Sequence, residues 1–176
     1  MTRRAFALLL LAPLWLPAAT LEQLSLDDLI RKSTAVVRGR VLSSYTSSRG
    51  ALLYTHSRIQ VLESWKGASG AEVNVAIPGG AMNGFRQAFS GAPKLTEGSE
   101  YVLFLWAGKS GMIQVIGFSQ GVFGVTRDGQ GESVNRAAAT ETMLNSSGRP
   151  VEDADVRMSL AELRDLVRRT LASPQK

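Results

Sequence analysis

The amino-acid sequence predicts a mainly β protein: a small barrel with a short helix before its first strand and an amphipathic helix at its C-terminal end. Segments rich in β-branched residues recur between glycine-containing turns from residue 35 to residue 134. One of them, residues 52–65, is long enough to coil around a barrel. Ser25 and Ser159 are each followed three residues later by an acidic residue, which is the pattern of a capped helix start.

Length and composition exclude several classes of protein. The chain has 176 residues with 20 Lys+Arg, 15 Asp+Glu, one His and no Cys, which suits one domain with a buried core. Its charged and apolar fractions, 20% and 44%, fit neither wholesale disorder nor a multi-span membrane protein. The absence of cysteine excludes disulfides, a thiol nucleophile and thiolate metal sites. We expect no metal and no cofactor, and His56 is the only imidazole available as a base.

Residues 1–19 have the pattern of a signal peptide. Arg3 and Arg4 precede an apolar stretch over 5–16, and small residues follow near the expected cleavage point. That stretch is shorter than the roughly 20 residues a spanning helix needs, and the alternatives to a signal peptide are an uncleaved anchor or a buried core helix. The sequence therefore predicts export to the periplasm or the extracellular space, by the general secretory or the twin-arginine route. Removal of the leader lowers the formal net charge from +5 to +3 and leaves no membrane span.

The elements follow one another along the mature chain with clear turn signals. A helix is predicted over 25–32, where Asp27 and Asp28 lie at its positive end. Gly39 inside the first strand indicates a bulge or a sharp bend, and the Ser-rich residues 45–50 indicate a turn. The predicted strands are residues 35–42, 52–65, 72–77, 101–106, 112–116 and 121–125, with a short edge strand near Val134 after the Asp128-Gly129 turn.

Residues 79–98 form the longest stretch without periodicity, and loops of this length inside a domain are often functional. The stretch combines two aromatic side chains, a methionine and an arginine, which is the chemistry of protein interfaces. Met82, Phe85, Arg86 and Phe89 are therefore the candidate binding residues. The alternative is structural: Phe85 and Phe89 fold back and close one end of the barrel.

The C-terminal part is predicted to lie outside the barrel domain, which covers residues 20–136. Residues 137–158 are polar and resemble a surface linker, and a helix follows over 159–173. Ser159 and Glu162 form its capping box. Its basic outer face leaves two options, packing on the barrel or lying on an anionic membrane surface. The predicted apolar stripe consists of Leu160, Leu163, Leu166, Val167 and Leu171.

Six segments over residues 35–125 occur in an order that resembles exported bacterial proteins of the tissue-inhibitor-of-metalloproteinases or netrin-like type. They are AVVRGRV at 35–41, VLESWKG at 61–67, VAIPGG at 75–80, GAP at 91–93, GSEYVLFL at 98–105 and GFSQGVF at 117–123. The resemblance implies an OB-like Greek-key barrel of five to six strands, without an assigned activity. The eukaryotic inhibitors chelate a protease zinc with an N-terminal cysteine. This chain has no cysteine, so inhibition is not implied.

The leading functional hypothesis is an exported, non-enzymatic module that recognises another exported protein, conceivably a protease, through residues 79–98. One alternative is a hydrolase that uses His56. A triad also needs a serine and an acid, and Ser57 points to the opposite face of the predicted strand. Another alternative is an oligosaccharide binder, which needs exposed aromatic side chains in a groove; Trp65 and Trp106 are the candidates.

Nucleic-acid binding is the least favoured hypothesis. Arg38, Arg40, Arg58 and Arg86 could form a basic face on an OB-like barrel, with Tyr54 or Phe85 available for stacking. Export and a mature net charge of only +3 argue against a polyanion as partner. The acidic residues before the two helices complement the helix dipoles and do not form a calcium loop.

Overall fold

The computed structural model describes residues 20–67, 70–129 and 131–173, and it is mainly β, as predicted. The predicted signal peptide lies outside the described residues. The helices are α1 (Leu26–Lys32) and α2 (Leu160–Ala172), and a 3-10 turn covers Phe118–Gly121. In chain order the strands are β1 (Thr20–Glu22), β2 (Ala35–Arg49), β3 (Leu52–Lys66), β4 (Glu72–Pro78), β5 (Gly80–Met82), β6 (Phe85–Gln87), β7 (Glu100–Ala107), β8 (Ile113–Val115), β9 (Val122–Asp128), β10 (Gly131–Arg136), β11 (Thr142–Leu144), β12 (Pro150–Val151) and β13 (Val156–Ser159).

Eight strands form one large sheet in the order β13-β10-β9-β7-β2-β3-β4-β8. Strand β8 pairs with β4 and also with β7, so the strands β2, β3, β4, β8 and β7 are joined in a ring of pairings. The contact between β4 and β8, Val75 opposite Ile113, is parallel, and the other pairings of the ring are antiparallel. Two smaller sheets contain β1-β11-β12 and β5-β6.

The hairpin of β2 and β3 is longer than the sequence predicts. Strand β2 continues to Arg49, which lies opposite Leu52, so the predicted turn at 45–50 is wrong for all but its last residue. Cross-strand pairing with β3 holds these serine-rich residues extended despite their turn propensity. The predicted bulge at Gly39 is confirmed by a register shift there. A Cβ on this glycine would collide with Cγ2 of Ile59.

Both helices begin at the predicted caps. Ser25 Oγ accepts from the Asp28 backbone N–H at 3.0 Å, and Ser159 Oγ accepts from the Glu162 N–H at 3.1 Å. The buried stripe of α2 differs from the prediction at its end, because Thr170 is buried and Leu171 is 42% exposed. Positions 170 and 171 lie three and four residues after Val167, so the helical period allows either of them on the buried face, and in the structure Thr170 is the one that is covered. Neither helix of the described part is long and apolar enough to cross a membrane.

The apolar side chains form two cores on opposite faces of the large sheet. Strand β7 contributes to both, because its residues alternate between the two faces and its sequence is an unbroken apolar run, as in strands buried on two sides. The inner core comes from the strands of the ring and consists of Val37, Val41, Ile59, Val75, Ile77, Leu103 and Leu105. The helix-side core lies between the sheet and the two helices and consists of Leu29, Ile30, Val36, Val102, Phe104, Phe123, Val134, Leu160, Leu163 and Val167.

Residues 137–158, expected to be a surface linker, contain strands β11 and β12 and the start of β13. Strand β11 pairs in parallel with β1, where Leu21 lies opposite Met143. Strand β13 pairs with β10, so Val134 does not lie in an edge strand as predicted. The strands that pair with β11 and β13 are distant from them in sequence. The polar composition of residues 137–158 therefore predicts a linker, although the chain forms short strands there.

Candidate functional site

The candidate segment 79–98 contains a β-hairpin and is not a loop throughout. Strands β5 and β6 pair with Met82 opposite Phe85, and Asn83-Gly84 forms the two-residue turn between them. Both turn residues have positive φ, 51° and 79°, as a type I′ turn requires. An Asn-Gly pair is the strongest local hairpin signal, so turn chemistry at Asn83-Gly84 indicates this hairpin although the stretch has no periodicity.

The structure brings three of the four candidate binding residues together on this hairpin. Phe85 is 77% exposed, Arg86 is also exposed, and Met82 is half-buried opposite Phe85. Phe89 follows two residues after the hairpin and is 37% exposed. These four residues and the cavities beside them are called the hairpin surface below.

The end of the inner core is covered by other residues than expected. Ala92 and Leu95 pack against that core, whereas Phe85 projects into solvent. Phe85 therefore does not close the end of the ring. Residues 79–98 have two parts with different roles: the hairpin protrudes, and the stretch around Ala92 and Leu95 covers the apolar interior.

Two cavities flank the hairpin. The first, here called the hairpin pocket, has about 400 Å³ and is bounded by Leu53, Met82 and Phe85. The second, the cleft, has about 470 Å³ and extends from the hairpin to Phe89 and Lys94. Arg86 lines both cavities, so the hairpin forms a ridge between them.

Specific hydrogen bonds fix the hairpin against the rest of the sheet. The Gln87 side chain accepts from the Leu53 N–H at 2.7 Å and donates to the Ala51 carbonyl at 2.8 Å, which ties β6 to the tip of the β2–β3 hairpin. Thr55 Oγ1 donates to the Gly79 carbonyl at 2.9 Å. Gly80 allows close approach, because a Cβ there would lie 2.8 Å from Thr46 Cγ2. The exposed Phe85 therefore stands on a positioned element.

The cleft is cationic. Arg86 and Lys94 are the charged side chains that line it, and within the described residues neither forms an ion pair. The carboxylate of Glu97, which lies nearby in sequence, accepts from the Ser44 N–H at 2.7 Å. Ser44 and the buried Ser57 share a hydrogen bond of 3.1 Å at the wall of the cleft.

The predicted basic face of four arginines does not exist as a unit. Arg38 is only 6% exposed and contacts Glu100, while Arg40 reaches the same carboxylate at 2.5 Å. Arg58 lies 3.7 Å from Glu72. Of the four, only Arg86 makes no ion pair in the described part of the chain.

Hydrogen bonds between Arg38 and the nearby carboxylates shift the pKa values of these groups. Burial works against the charge of Arg38, but hydrogen bonds to Glu132, Glu100 and Glu63 raise the pKa of its guanidinium. Burial likewise opposes ionisation of Glu100, yet hydrogen bonds from Arg40 and Arg38 hold the pKa of this carboxyl below its usual value. The charges of this cluster are paired with one another, although Nε of Arg38 is buried without a hydrogen-bond partner among the described residues.

His56 contacts a serine other than its neighbour. Its Nε2 lies 2.9 Å from Ser47 Oγ, and Tyr45 stacks on the ring with centroids 4.9 Å apart. Ser57 is buried on the opposite face, as predicted. No carboxylate of the described residues is hydrogen-bonded to the imidazole, so a serine–histidine contact is present without an orienting acid.

The two candidate tryptophans lie apart from the hairpin. Trp65 is partly buried beneath the Arg164 guanidinium, and its indole N–H donates to Glu63 Oε2 at 3.1 Å. Trp106 is 44% exposed and lines neither the hairpin pocket nor the cleft. Within the described residues no three His, Cys, Asp or Glu side chains gather in a metal-binding group.

Comparisons with protein-family models, with curated protein sequences and with solved structures give no match. The residues and geometry of the site are therefore the basis for a functional proposal. The hairpin surface combines exposed aromatic side chains, two cavities and an arginine that makes no ion pair in the described part of the chain, all on a fixed element.

Proposed function

We propose that this protein is an exported, non-enzymatic recognition module that binds a protein partner through the hairpin surface. The observation that carries the proposal is the 77% exposure of Phe85 on a hairpin held in place by its type I′ turn and by Gln87. An aromatic side chain in water contributes little to folding, and aromatic and arginine side chains dominate binding energy at interfaces. A positioned hairpin also loses little conformational entropy when it binds.

The scaffold proposal is an OB-like Greek-key barrel of the tissue-inhibitor-of-metalloproteinases or netrin-like type. It is supported by the neighbour order β7-β2-β3-β4, in which three consecutive strands are joined and a fourth returns beside the first. The ring of pairings through β8 supports closure. On this proposal, the hairpin surface belongs to the long connection between the third and fourth barrel strands.

Export is proposed from residues 1–19 alone. Arg3 and Arg4 followed by the apolar stretch are the supporting features. Mass spectrometry of the protein from the culture medium and the periplasm tests it, since the proposal requires a chain that begins near Thr20. Recovery of the intact chain in the cytoplasm would contradict export.

Site-specific photo-cross-linking in the producing cells tests the recognition role. A benzophenone amino acid replaces Phe85, and in a matched control it replaces Leu171, which is 42% exposed on α2. We expect a discrete adduct of one mass from position 85 and none from position 171. An adduct pattern that is the same at both positions would show that Phe85 is merely an exposed side chain.

A hydrolase is the second candidate, and one contact favours it: the 2.9 Å distance between His56 Nε2 and Ser47 Oγ. A serine paired with a base can act as a nucleophile. A fluorophosphonate probe followed by peptide mapping tests this directly, with Ser47→Ala as the control. Labelling of Ser47 would establish an activated serine, and an unlabelled protein removes the hydrolase hypothesis.

A further inference from the structure

We infer that the hairpin surface recognises an extended, acidic protein segment in which a carboxylate stands beside a large apolar side chain. This inference rests on the proposed recognition role of that surface and adds the chemistry of the partner. It follows from the charge of the cleft, from the position of Arg86 between two cavities and from the apolar lining of the hairpin pocket.

The cations of the cleft differ from the arginines elsewhere in the sheet in their ion pairing. Elsewhere in the sheet, Arg38, Arg40 and Arg127 all contact the carboxylate of Glu100. At the cleft, Arg86 and Lys94 face the cavity and form no ion pair within the described residues. Two cations without an internal carboxylate complement a partner that supplies one.

The geometry sets the partner's side chains next to one another. Arg86 borders both the cleft and the hairpin pocket, so a carboxylate bound to its guanidinium places the neighbouring residue at the pocket. Leu53, Met82 and Phe85 bound that pocket, and its volume of about 400 Å³ accommodates a leucine or phenylalanine side chain. In an extended segment, successive side chains point to opposite sides and can enter both cavities.

The same observations disfavour a polyanion. A nucleic acid is held by many cations along its backbone, whereas this surface offers two beside an apolar pocket. A ligand held by charge alone would also bind without Phe85. Binding that needs both Phe85 and the two cations is the signature of an acidic and apolar protein segment.

Amide chemical-shift mapping of the whole exported chain, which begins near Thr20, tests the inference with two capped peptides. The probes are Ser-Gly-Asp-Leu-Asp-Leu-Asp-Gly-Ser and the peptide in which lysine replaces each aspartate. We expect the acidic peptide to shift the amides of residues 85–87 and 94–96 saturably and the basic peptide to leave them unchanged. Charge pairing also predicts weaker binding as salt rises from about 0.05 M to about 0.5 M.

Two double variants make the result specific. Arg86→Gln with Lys94→Gln should weaken binding of the acidic peptide by about fivefold or more. The matched control, Lys109→Gln with Arg157→Gln, removes the same charge at two other cations that form no ion pair with the described residues, and it should bind as the wild type does. Equal shifts from both peptides, no shift from the acidic peptide, or unchanged affinity in the first variant would overturn the inference. A discrete cross-link from position 85 would still support the recognition role in each of these cases. The recognition role and the chemistry of the partner are therefore tested separately.

Discussion

The guanidinium of Arg38 donates to the carboxylate of Glu100 at 3.0 Å in the sheet beside the helix-side core, where each side chain is 8% exposed. Glu63 and Glu132 accept from the same guanidinium, so one cation joins four strands. Arg164 of α2 reaches Glu63 at 2.7 Å and connects the terminal helix to this cluster. The cluster is internal to the fold, and the hairpin surface is separate from it.

Replacement of Arg38 by methionine should strongly destabilise the protein. Loss of the cation leaves Glu63, Glu100 and Glu132 close together, with Glu100 still contacted by Arg40 and Arg127. We therefore expect a loss of about 2–3 kcal/mol, below the roughly 3–5 kcal/mol for a buried charge left with no partner. Urea unfolding measures the change. The control is Arg168→Met, whose guanidinium is 74% exposed beside Asp165 and should change the free energy of unfolding by less than about 0.5 kcal/mol. Equal effects of the two substitutions would contradict the structural role of the cluster.

The Arg136–Asp153 pair should make stability fall in acid. The hydrogen bond from Arg136 outweighs burial and lowers the pKa of Asp153 from 3.8 to about 2. Because the folded pKa lies below the unfolded one, the stabilisation is full above about pH 4 and is lost as the pH falls towards 2. Asp153→Asn should lose about 2 kcal/mol at neutral pH and show a flatter decline in acid. An acid profile identical to that of the wild type would contradict the assignment, and Asp165→Asn on the exposed side of α2 is the control.

The bulge in β2 should require glycine at position 39. An alanine Cβ would collide with Ile59 Cγ2 and lie 2.8 Å from the Gln60 carbonyl oxygen. Gly39→Ala should therefore reduce the free energy of unfolding by about 2–3 kcal/mol, the range for overpacking. Gly129→Ala is the matched control, because nothing lies within 4 Å of its added Cβ. Thermal unfolding of both variants compares them, and a neutral Gly39→Ala would show that the two strands are further apart.

The two parts of residues 79–98 should differ in their effect on stability. Leu95 packs on the inner core, so Leu95→Ala should cost about 1–2 kcal/mol for a half-buried leucine. Phe85 is 77% exposed, and Phe85→Ala should leave the free energy of unfolding within about 0.5 kcal/mol of the wild type. Urea titration of the two variants measures this, and a large loss from Phe85→Ala would mean that the phenylalanine packs in the folded protein.

Features encoded by nearby residues were predicted well from the sequence. Both capping boxes need only four residues, and both helices begin at Ser25 and Ser159 as predicted. The strand predicted over 72–77 and the irregularity at Gly39 are also local signals, and both are present. The Asn83-Gly84 turn is equally local, but its signal is a single Asn-Gly pair that neither the composition nor the periodicity of residues 79–98 reveals.

Features that depend on distant residues were not predictable in this way. Arg38 resembles a surface cation in its own strand, and its burial depends on carboxylates that lie 25, 62 and 94 residues away. Strand β11 exists because β1 pairs with it from the other end of the chain. Leu95 packs on the inner core and Phe85 does not, because of where that core lies in the fold. The sequence of residues 79–98 has no periodicity that would indicate this position.

The most direct measurement is the dissociation constant of the partner that cross-links at position 85, determined by isothermal titration for the wild type and for Phe85→Ala. A central aromatic side chain at an interface predicts a rise of about tenfold or more in the dissociation constant, with the free energy of unfolding unchanged. If the partner binds both proteins equally, Phe85 makes no contribution to recognition, and the hairpin surface is not the binding site.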